Sequence, residues 1–251
     1  MKIINVVGAR PNFMKIAPIH SKMLKNNQFE PILVHTGQHY DNNMSKIFFD
    51  DLDFPEPDHY LGVGSDSQAK QTAKIMIEFE KILILEKPNM VLVAGDVNST
   101  IACALVAVKL HIKVAHVESG LRSFDRTMPE EINRILTDSI SDYLFVTEKS
   151  GLENLKAEGV DKNKIFYVGN TMIDSVCHFK DKSNESDILN RFNLYQKEFV
   201  LVTLHRPSNV DNECVFDEII RALNEIKRFI HIVFPVHPRT KKKYSNVKGC
   251  C

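Results

Sequence analysis

The stretch Val91-Leu92-Val93-Ala94-Gly95-Asp96 ends an apolar run on a glycine and a carboxylate, and Val114-Ala115-His116-Val117-Glu118 repeats the pattern further along. A segment of helical character lies between them, and Met128-Pro129-Glu130-Glu131 opens another helix. Consecutive parallel strands are neighbours roughly two-thirds of the time and lie ~4.8 Å apart. We therefore expect Asp96 and Glu118 to face one crevice at the carboxyl edge of a sheet, where α/β folds bind ligands.

The alternation of strands and helices continues on both sides of this stretch. Further apolar runs typical of strands cover residues 2–7, 31–36, 143–147 and 164–168, and helical patterns cover residues 67–86, 99–110 and 130–141. An alternating order of this kind predicts an α/β fold, a doubly wound parallel sheet of the Rossmann-like class.

A polar segment that starts near residue 177 interrupts the pattern. Strand-like runs resume at residues 199–204 and 231–235, with a helical pattern at 213–229 between them. We predict a Rossmann-like domain over residues 1–176 and a partial second one over residues 177–251. Two strands cannot close a core of their own, so the second domain is expected to be incomplete.

Composition narrows the class of protein. The chain has 251 residues, of which 43% are hydrophobic, and its 32 basic and 32 acidic residues cancel. The absence of a basic surplus argues against nucleic acid as a partner, and no apolar run approaches the ~20 residues of a membrane span. The five cysteines are scattered without a CxxC pair and no HExxH motif occurs, so we expect a cytoplasmic protein without a metal site.

The first strand ends in a turn that suits an anion. Gly8-Ala9-Arg10-Pro11-Asn12 leads into a helix, and Lys15 follows about one helical turn later. Free backbone N–H groups at a helix start attract anions, and an arginine there favours phosphate contact. The turn lacks the glycines of the dinucleotide fingerprint, and for both cations a plain surface role is the alternative.

Structural explanations compete with the catalytic one for the carboxylates. Asp96 could cap the following helix, and Glu130 and Glu131 at a helix start are favoured by the helix dipole alone. Glu118 is harder to explain in this way, because a carboxylate at the end of an apolar strand is costly unless it is paired. His116 is expected to be a core histidine.

Many spaced motifs, taken in order, carry a resemblance to a known family. They are Gly8-Ala9-Arg10-Pro11 with Lys15, Gly37-Gln38-His39, Gly95-Asp96-Val97-Asn98-Ser99-Thr100, His116 to Arg122, Pro129 to Arg134, Gly169-Asn170-Thr171, His205-Arg206 and Pro235-Val236-His237-Pro238. In this order the chain resembles the non-hydrolysing UDP-N-acetylglucosamine 2-epimerases over nearly its whole length. The Ser-Gly-Gly…Glu-Glu segment of the family's second domain is missing from the chain.

The resemblance implies a two-domain, glycosyltransferase-B-type architecture and interconversion of UDP-GlcNAc and UDP-ManNAc. It implies elimination of UDP and its re-addition with inversion at C2, without nicotinamide or a required metal, and a homodimer for an intact member. The residues implied are Asp96, Glu118, Glu130 and His205 for catalysis and Arg10, Lys15, Arg134 and His237 for substrate binding. The alternatives are a hydrolysing relative that releases ManNAc and UDP, and an inactive remnant that binds a UDP-sugar.

Overall fold

A computed structural model describes residues 1–37, 54–196, 198–204, 207–236 and 240–241 of the chain, without the side chains of residues 10, 207 and 208. The chain divides into two compact units, the first Met1–Asp181 and the second from Lys182 onward. The predicted boundary between residues 176 and 177 falls inside a helix, and the division into domains at that point stays a prediction.

The first unit is built from strands and helices in alternation. The strands are β1 Lys2–Val7, β2 Glu30–His35, β3 His59–Tyr60, β4 Met90–Ala94, β5 Lys113–Ser119, β6 Tyr143–Val146 and β7 Ile165–Tyr167. The helices are α1 Arg10–Leu24, α2 Gln68–Glu86, α3 Asn98–Lys109, α4 Pro129–Ile140, α5 Lys149–Ala157 and α6 Thr171–Asn184, with a short 3₁₀ turn at Lys162–Lys164.

The strands form one parallel sheet in the order β3-β2-β1-β4-β5-β6-β7. β4 and β5 are hydrogen-bonded neighbours, with Ala94 opposite Val117, so the prediction that Asp96 and Glu118 follow adjacent strands is confirmed. The strand order reverses direction at β1, whose neighbours are β2 and β4. This switch point is where open α/β sheets hold their ligands.

Both faces of the sheet are covered, as a parallel sheet requires. On one face α1 packs Phe13 and Ile16 against β-strand residues such as Leu92 and Val117. On the other face α2 and α3 pack against the opposite side of the same strands, and Ile140 at the end of α4 joins them. The Rossmann-like, doubly wound fold is confirmed.

Sequence patterns missed part of the first unit. The chain after the proline-rich loop at 54–58 forms the two-residue strand β3, in which His59 pairs with Val34 of β2. Its two residues are too few to show an alternating pattern. Helix α6 begins at Thr171, ahead of the polar segment that starts near residue 177, and continues through part of that segment.

The second unit contains a two-stranded parallel sheet. Strand β8 (Phe199–Leu201) pairs with β9 (His231–Val233). Helix α9 (Glu213–Ile226) lies between these strands in sequence. Two short helices come earlier in the chain: α7 (Ile188–Arg191) before β8, and α8 (Pro207–Val210) after it. The side chain of Asn212 accepts hydrogen bonds from the first N–H groups of α9. Within the part of the chain that the structure describes, no helix has the length and apolar character needed to cross a membrane.

Candidate active site

The turn after β1 is tied to the end of β4 by one side chain. Asn12 accepts a hydrogen bond from the Ala9 N–H at 2.9 Å and donates one to the Ala94 carbonyl at 2.7 Å. The α1 helix begins at Arg10 with proline in its first turn, as the sequence predicted. The two strand ends that border the switch point are therefore held together.

Gly8 allows this turn to approach the start of α3. A Cβ placed on Gly8 would lie 2.3 Å from Ser99 Oγ and 2.8 Å from Thr36 Oγ1. These two hydroxyls lie 2.8 Å apart and share a hydrogen bond. Any larger residue at position 8 would push the first turn away from α3.

Glu118 is held by an ion pair with Lys15. Lys15 Nζ lies 2.5 Å from Glu118 Oε2, and the two side chains are 9% and 19% exposed, so the pair is largely removed from water. Glu118 has φ of 73°, in the left-handed region, at a point where the pairing of β5 with β6 shifts register. For a residue other than glycine this conformation costs about 1–2 kcal/mol, and such strain is concentrated at functional sites.

Asp96 is held by Arg134. Arg134 Nη2 lies 2.5 Å from Asp96 Oδ2, and Arg134 Nη1 lies 3.0 Å from Glu131 Oε2. Asn133 donates a hydrogen bond of 2.8 Å to the Asp96 carbonyl. Asp96 does not cap α3, because the residue at the cap position is Val97. The capping explanation is therefore wrong.

The two ion pairs approach the crevice from opposite sides of the sheet. Lys15 belongs to α1, which covers one face, whereas Arg134 belongs to α4, which covers the other. The Lys15 side chain reaches Gly95, where an added Cβ would lie 2.9 Å from Lys15 Nζ. Asp96 is the next residue. The structure therefore brings the two carboxylates to the same edge, each supported from a different face.

A buried charge network supports the chain just after Glu118. His116 places Nδ1 2.7 Å from Asp138 Oδ1 and Nε2 2.8 Å from the Gly95 carbonyl. Asp138 Oδ2 also accepts from the Gly120 N–H at 3.0 Å and pairs with Arg122 Nη1 at 2.7 Å. The two ring nitrogens of His116 thus face oxygen atoms, one of a carboxylate and one of a backbone carbonyl. The prediction of a core histidine is confirmed, since His116 is fully buried.

Asp138 was not found by sequence reasoning. Burial raises the pKa of such a carboxyl, but the hydrogen bond and charge of His116 together with Arg122 outweigh burial and lower the pKa of Asp138. Arg122 also forms a two-point pair with Glu158, with both N···O distances at 2.8 Å. The hydrogen bonds of Asp138 with His116 and with the Gly120 N–H fix the turn that presents Glu118, and Glu158 lies outside them.

Glu131 fixes the loop between β5 and α4. Its oxygens accept from the backbone N–H groups of Ser123 at 2.9 Å and Phe124 at 3.0 Å, in addition to the pair with Arg134. Burial acts to raise the pKa of Glu131, but these hydrogen bonds outweigh it and lower the pKa. The sequence motif distinguishes Glu130 from Glu131 only by their order, whereas in the structure Glu131 is buried and Glu130 is only partly buried.

Of the other residues predicted for the site, the structure describes one fully, one only in its backbone and two not at all. Glu130 is partly buried at the start of α4 and forms no ion pair with another described residue. Arg10 begins α1, but its side chain lies outside the description. His205 and His237 lie outside the described residues, so their roles stay predictions. Among the described residues, no group of three or more His, Cys, Asp and Glu side chains is placed to hold a metal ion.

The fold and the site together define a class: a Rossmann-like α/β protein with paired carboxylates and cations at the switch point of its sheet. The profile of the UDP-N-acetylglucosamine 2-epimerase family matches residues 21–250. This chain belongs to that family.

Similar proteins support the assignment. A UDP-N-acetylglucosamine 2-epimerase homolog of Methanococcus maripaludis is 49% identical, over 96% of this chain and 67% of that protein. A UDP-2,3-diacetamido-2,3-dideoxy-D-glucuronate 2-epimerase of Pseudomonas aeruginosa is 44% identical, over 96% of this chain and 68% of that protein. The crystal structure of Methanocaldococcus jannaschii UDP-GlcNAc 2-epimerase in complex with UDP-GlcNAc and UDP superimposes with a TM-score of 0.88 at 45% identity, over 98% of this chain and 68% of that one.

Proposed function

We propose that this protein interconverts UDP-GlcNAc and UDP-ManNAc by eliminating UDP from C1 and adding it back with the opposite configuration at C2. The observation that carries the proposal is the pairing of Glu118 with Lys15 beside the pairing of Asp96 with Arg134. The chain spans about two thirds of the length of its relatives, as the 67% and 68% coverages show, so the activity of the whole protein is proposed from this part.

The chemistry needs two proton-transferring groups on opposite sides of one carbon. A base removes the C2 proton, the C–H electron pair becomes the C1–C2 double bond, and the C1–O bond breaks to release UDP. In the return step a UDP oxygen bonds to C1, the double-bond electrons take a proton at the other face of C2, and the configuration is inverted. Glu118 and Asp96 are held from opposite faces of the sheet, an arrangement that suits this requirement.

Cations must stabilise the departing diphosphate. A positioned base contributes about 10²–10⁴-fold, so donors placed where charge develops must supply much of the rest. Lys15 already lies at the crevice, and we propose that Arg10, His205 and His237 act with it on the diphosphate. We propose Glu130 as a third catalytic carboxylate, because it is unpaired among the described residues at the same edge.

The relatives offer a second substrate. The Pseudomonas aeruginosa relative acts, by its name, on a diacetamido glucuronate derivative, and its identity of 44% is similar to that of the UDP-GlcNAc 2-epimerase of Methanocaldococcus jannaschii at 46%. Both substrates share the UDP group and the reacting C2 centre. A comparison of kcat/KM for the two nucleotide sugars decides between them.

Incubation with UDP-GlcNAc in deuterated water tests the proposal. Deuterium should appear at C2 of both recovered nucleotide sugars, and Glu118→Gln should slow its incorporation by about 10²-fold or more, since the positioned base is lost. Free ManNAc and UDP as the products would instead show the hydrolysing reaction. UDP binding without any exchange at C2 would refute the epimerase and leave a nucleotide-sugar-binding protein.

Assembly and location are proposed with the same function. We propose a cytoplasmic homodimer whose chain divides into its two domains between residues 176 and 177. Support for association comes from the exposed face of α2, where Ile77 is 58% and Ile84 is 60% exposed. Support for a reducing compartment comes from the free, exposed thiols of Cys177 and Cys214.

A further inference from the structure

Glu131 is a buried carboxylate to which the proposed reaction gives no role. Its side chain is 1% exposed, and its two oxygens accept from Ser123 N–H, Phe124 N–H and Arg134 Nη1 at 2.9–3.0 Å. A carboxylate is enclosed at this level only when its charge and its lone pairs are satisfied. Three donors satisfy them here, and they lie on two different elements.

We propose that Glu131 is a positioning residue, which orients Asp96 through Arg134 and holds the loop at Ser123 and Phe124 in its conformation. The inference rests on the proposed function insofar as it takes Asp96 to act on the substrate. Glu131 itself is enclosed by protein and touches no reacting atom.

Glu131 is connected to Asp96 through the planar guanidinium of Arg134. Arg134 gives Nη1 to Glu131 and Nη2 to Asp96, so the guanidinium spans the two carboxylates. A guanidinium fixed at one nitrogen keeps its other N–H groups in a defined direction. Asn133 on the same helix holds the backbone of Asp96 as well. Loss of Glu131 would free the Arg134 side chain to rotate and would leave Asp96 without a fixed partner.

Glu131 is also connected to the loop at Ser123 and Phe124. Phe124 has φ of 59°, in the left-handed region, and its side chain is 78% exposed. An aromatic residue is strained in this conformation, so the loop needs compensation from its surroundings. The two hydrogen bonds to the Glu131 carboxylate provide it, because bonds to an ionised acceptor are stronger than neutral ones. Glu131 thus fixes the backbone of the loop that follows Glu118 in the chain.

Glu131→Gln is the variant that tests both links. It preserves shape but turns one acceptor oxygen into an NH₂ group that must face a donor. We expect amide hydrogen exchange at Ser123 and Phe124 to accelerate at least tenfold. We expect kcat for deuterium incorporation at C2 to fall by about 10–100-fold while KM changes less than threefold, because a displacement of ~1 Å at the reacting groups costs about 10²-fold.

Glu158→Gln is the matched control. It makes the same chemical change and breaks an ion pair with Arg122 of the same loop, but it contacts neither Ser123, Phe124 nor Arg134. Its exchange rates at Ser123 and Phe124 and its kcat should stay within twofold of wild type. An equal loss of kcat in both variants would show a general effect of loop stability and would overturn the positioning role.

Four further results test the positioning role of Glu131. Wild-type kcat in Glu131→Gln would overturn it, whatever happens to the exchange rates. If Glu131→Gln fails to fold, Arg134→Lys decides: an ammonium cannot span both carboxylates, so kcat should fall at least tenfold while Ser123 and Phe124 stay protected. If wild-type protein shows no deuterium incorporation, the proposed function fails, and unaccelerated exchange in Glu131→Gln would separately refute the link to the loop.

Discussion

Replacing Asp138 by asparagine tests the charge network under the catalytic turn. Asp138 accepts three hydrogen bonds, from His116, from the Gly120 N–H and from Arg122. An asparagine can satisfy all three positions only in one orientation: its oxygen accepts from Gly120 and Arg122, and its NH₂ donates to His116 Nδ1. In that orientation His116 Nδ1 is the acceptor of the hydrogen bond.

The cost follows from the change in bond type. Hydrogen bonds that involve an ionised group contribute about 1.5–3 kcal/mol, against about 0.5–1.5 kcal/mol for neutral ones. The bonds of His116 and Gly120 lose their ionised acceptor and Arg122 loses one of its two anionic partners, so Asp138→Asn should lower the free energy of unfolding by about 2–3 kcal/mol. Asp138→Leu offers no acceptor and leaves the Arg122 guanidinium and the buried His116 ring without this partner, which should cost about 3–5 kcal/mol.

Urea unfolding followed by circular dichroism gives both values. Glu158→Gln is the control: Glu158 is 40% exposed and Arg122 keeps its ion pair with Asp138, so the cost should be about 1 kcal/mol or less. A cost below about 1 kcal/mol for Asp138→Leu would contradict the network.

Other perturbations have separate outcomes. Folding lowers the pKa of Asp138, so its contribution to the free energy of unfolding is complete above the unfolded pKa of ~3.9 and is lost as pH falls through the folded pKa. Urea unfolding at several pH values should show this loss. Asp138→Asn should make the free energy of unfolding depend less on pH in the acid range. Gly8→Ala should lower Tm measurably, because its methyl would meet Ser99 Oγ at 2.3 Å, whereas an unchanged Tm would contradict that approach. Lys15→Met should destabilise the protein more than Lys15→Met combined with Glu118→Gln, a difference that a double-mutant cycle measures by urea unfolding. Ile84→Lys should shift a dimer toward monomer in sedimentation velocity if the α2 face mediates association, and an unchanged distribution would exclude that face.

The sheet could be predicted from sequence because its strands are apolar runs that end at a glycine or a polar turn. The ends of β4 and β5 illustrate this, because Gly95 and Glu118 end the two apolar runs. Since these strands are consecutive in the chain, they could be expected to be neighbours in the sheet, as they are. The short strand β3 gave no such signal. Its two residues are fixed by pairing with β2, a long-range contact that leaves no local pattern.

The residues of the candidate active site could be predicted from the sequence, but the hydrogen bonds and ion pairs between them could not. Glu130 and Glu131 are identical neighbours, and only the rotation of ~100° per helical residue decides which of them is buried. Asp138 lies in the last turn of α4 and belongs to no motif, and its partner His116 lies on a different element. The left-handed conformation of Glu118 could not be predicted from the sequence either, because glycine is the residue that usually adopts it.

The backbone geometry at position 118 limits how this scaffold can be re-engineered. Glycine, asparagine and aspartate tolerate a left-handed φ best, but each has a shorter side chain than glutamate and would not reach Lys15 in the same way. β-branched residues would meet the largest steric penalty there. A library aimed at new chemistry should therefore keep Glu118 constant and vary the exposed loop at 123–127, where side chains can change without disturbing the turn.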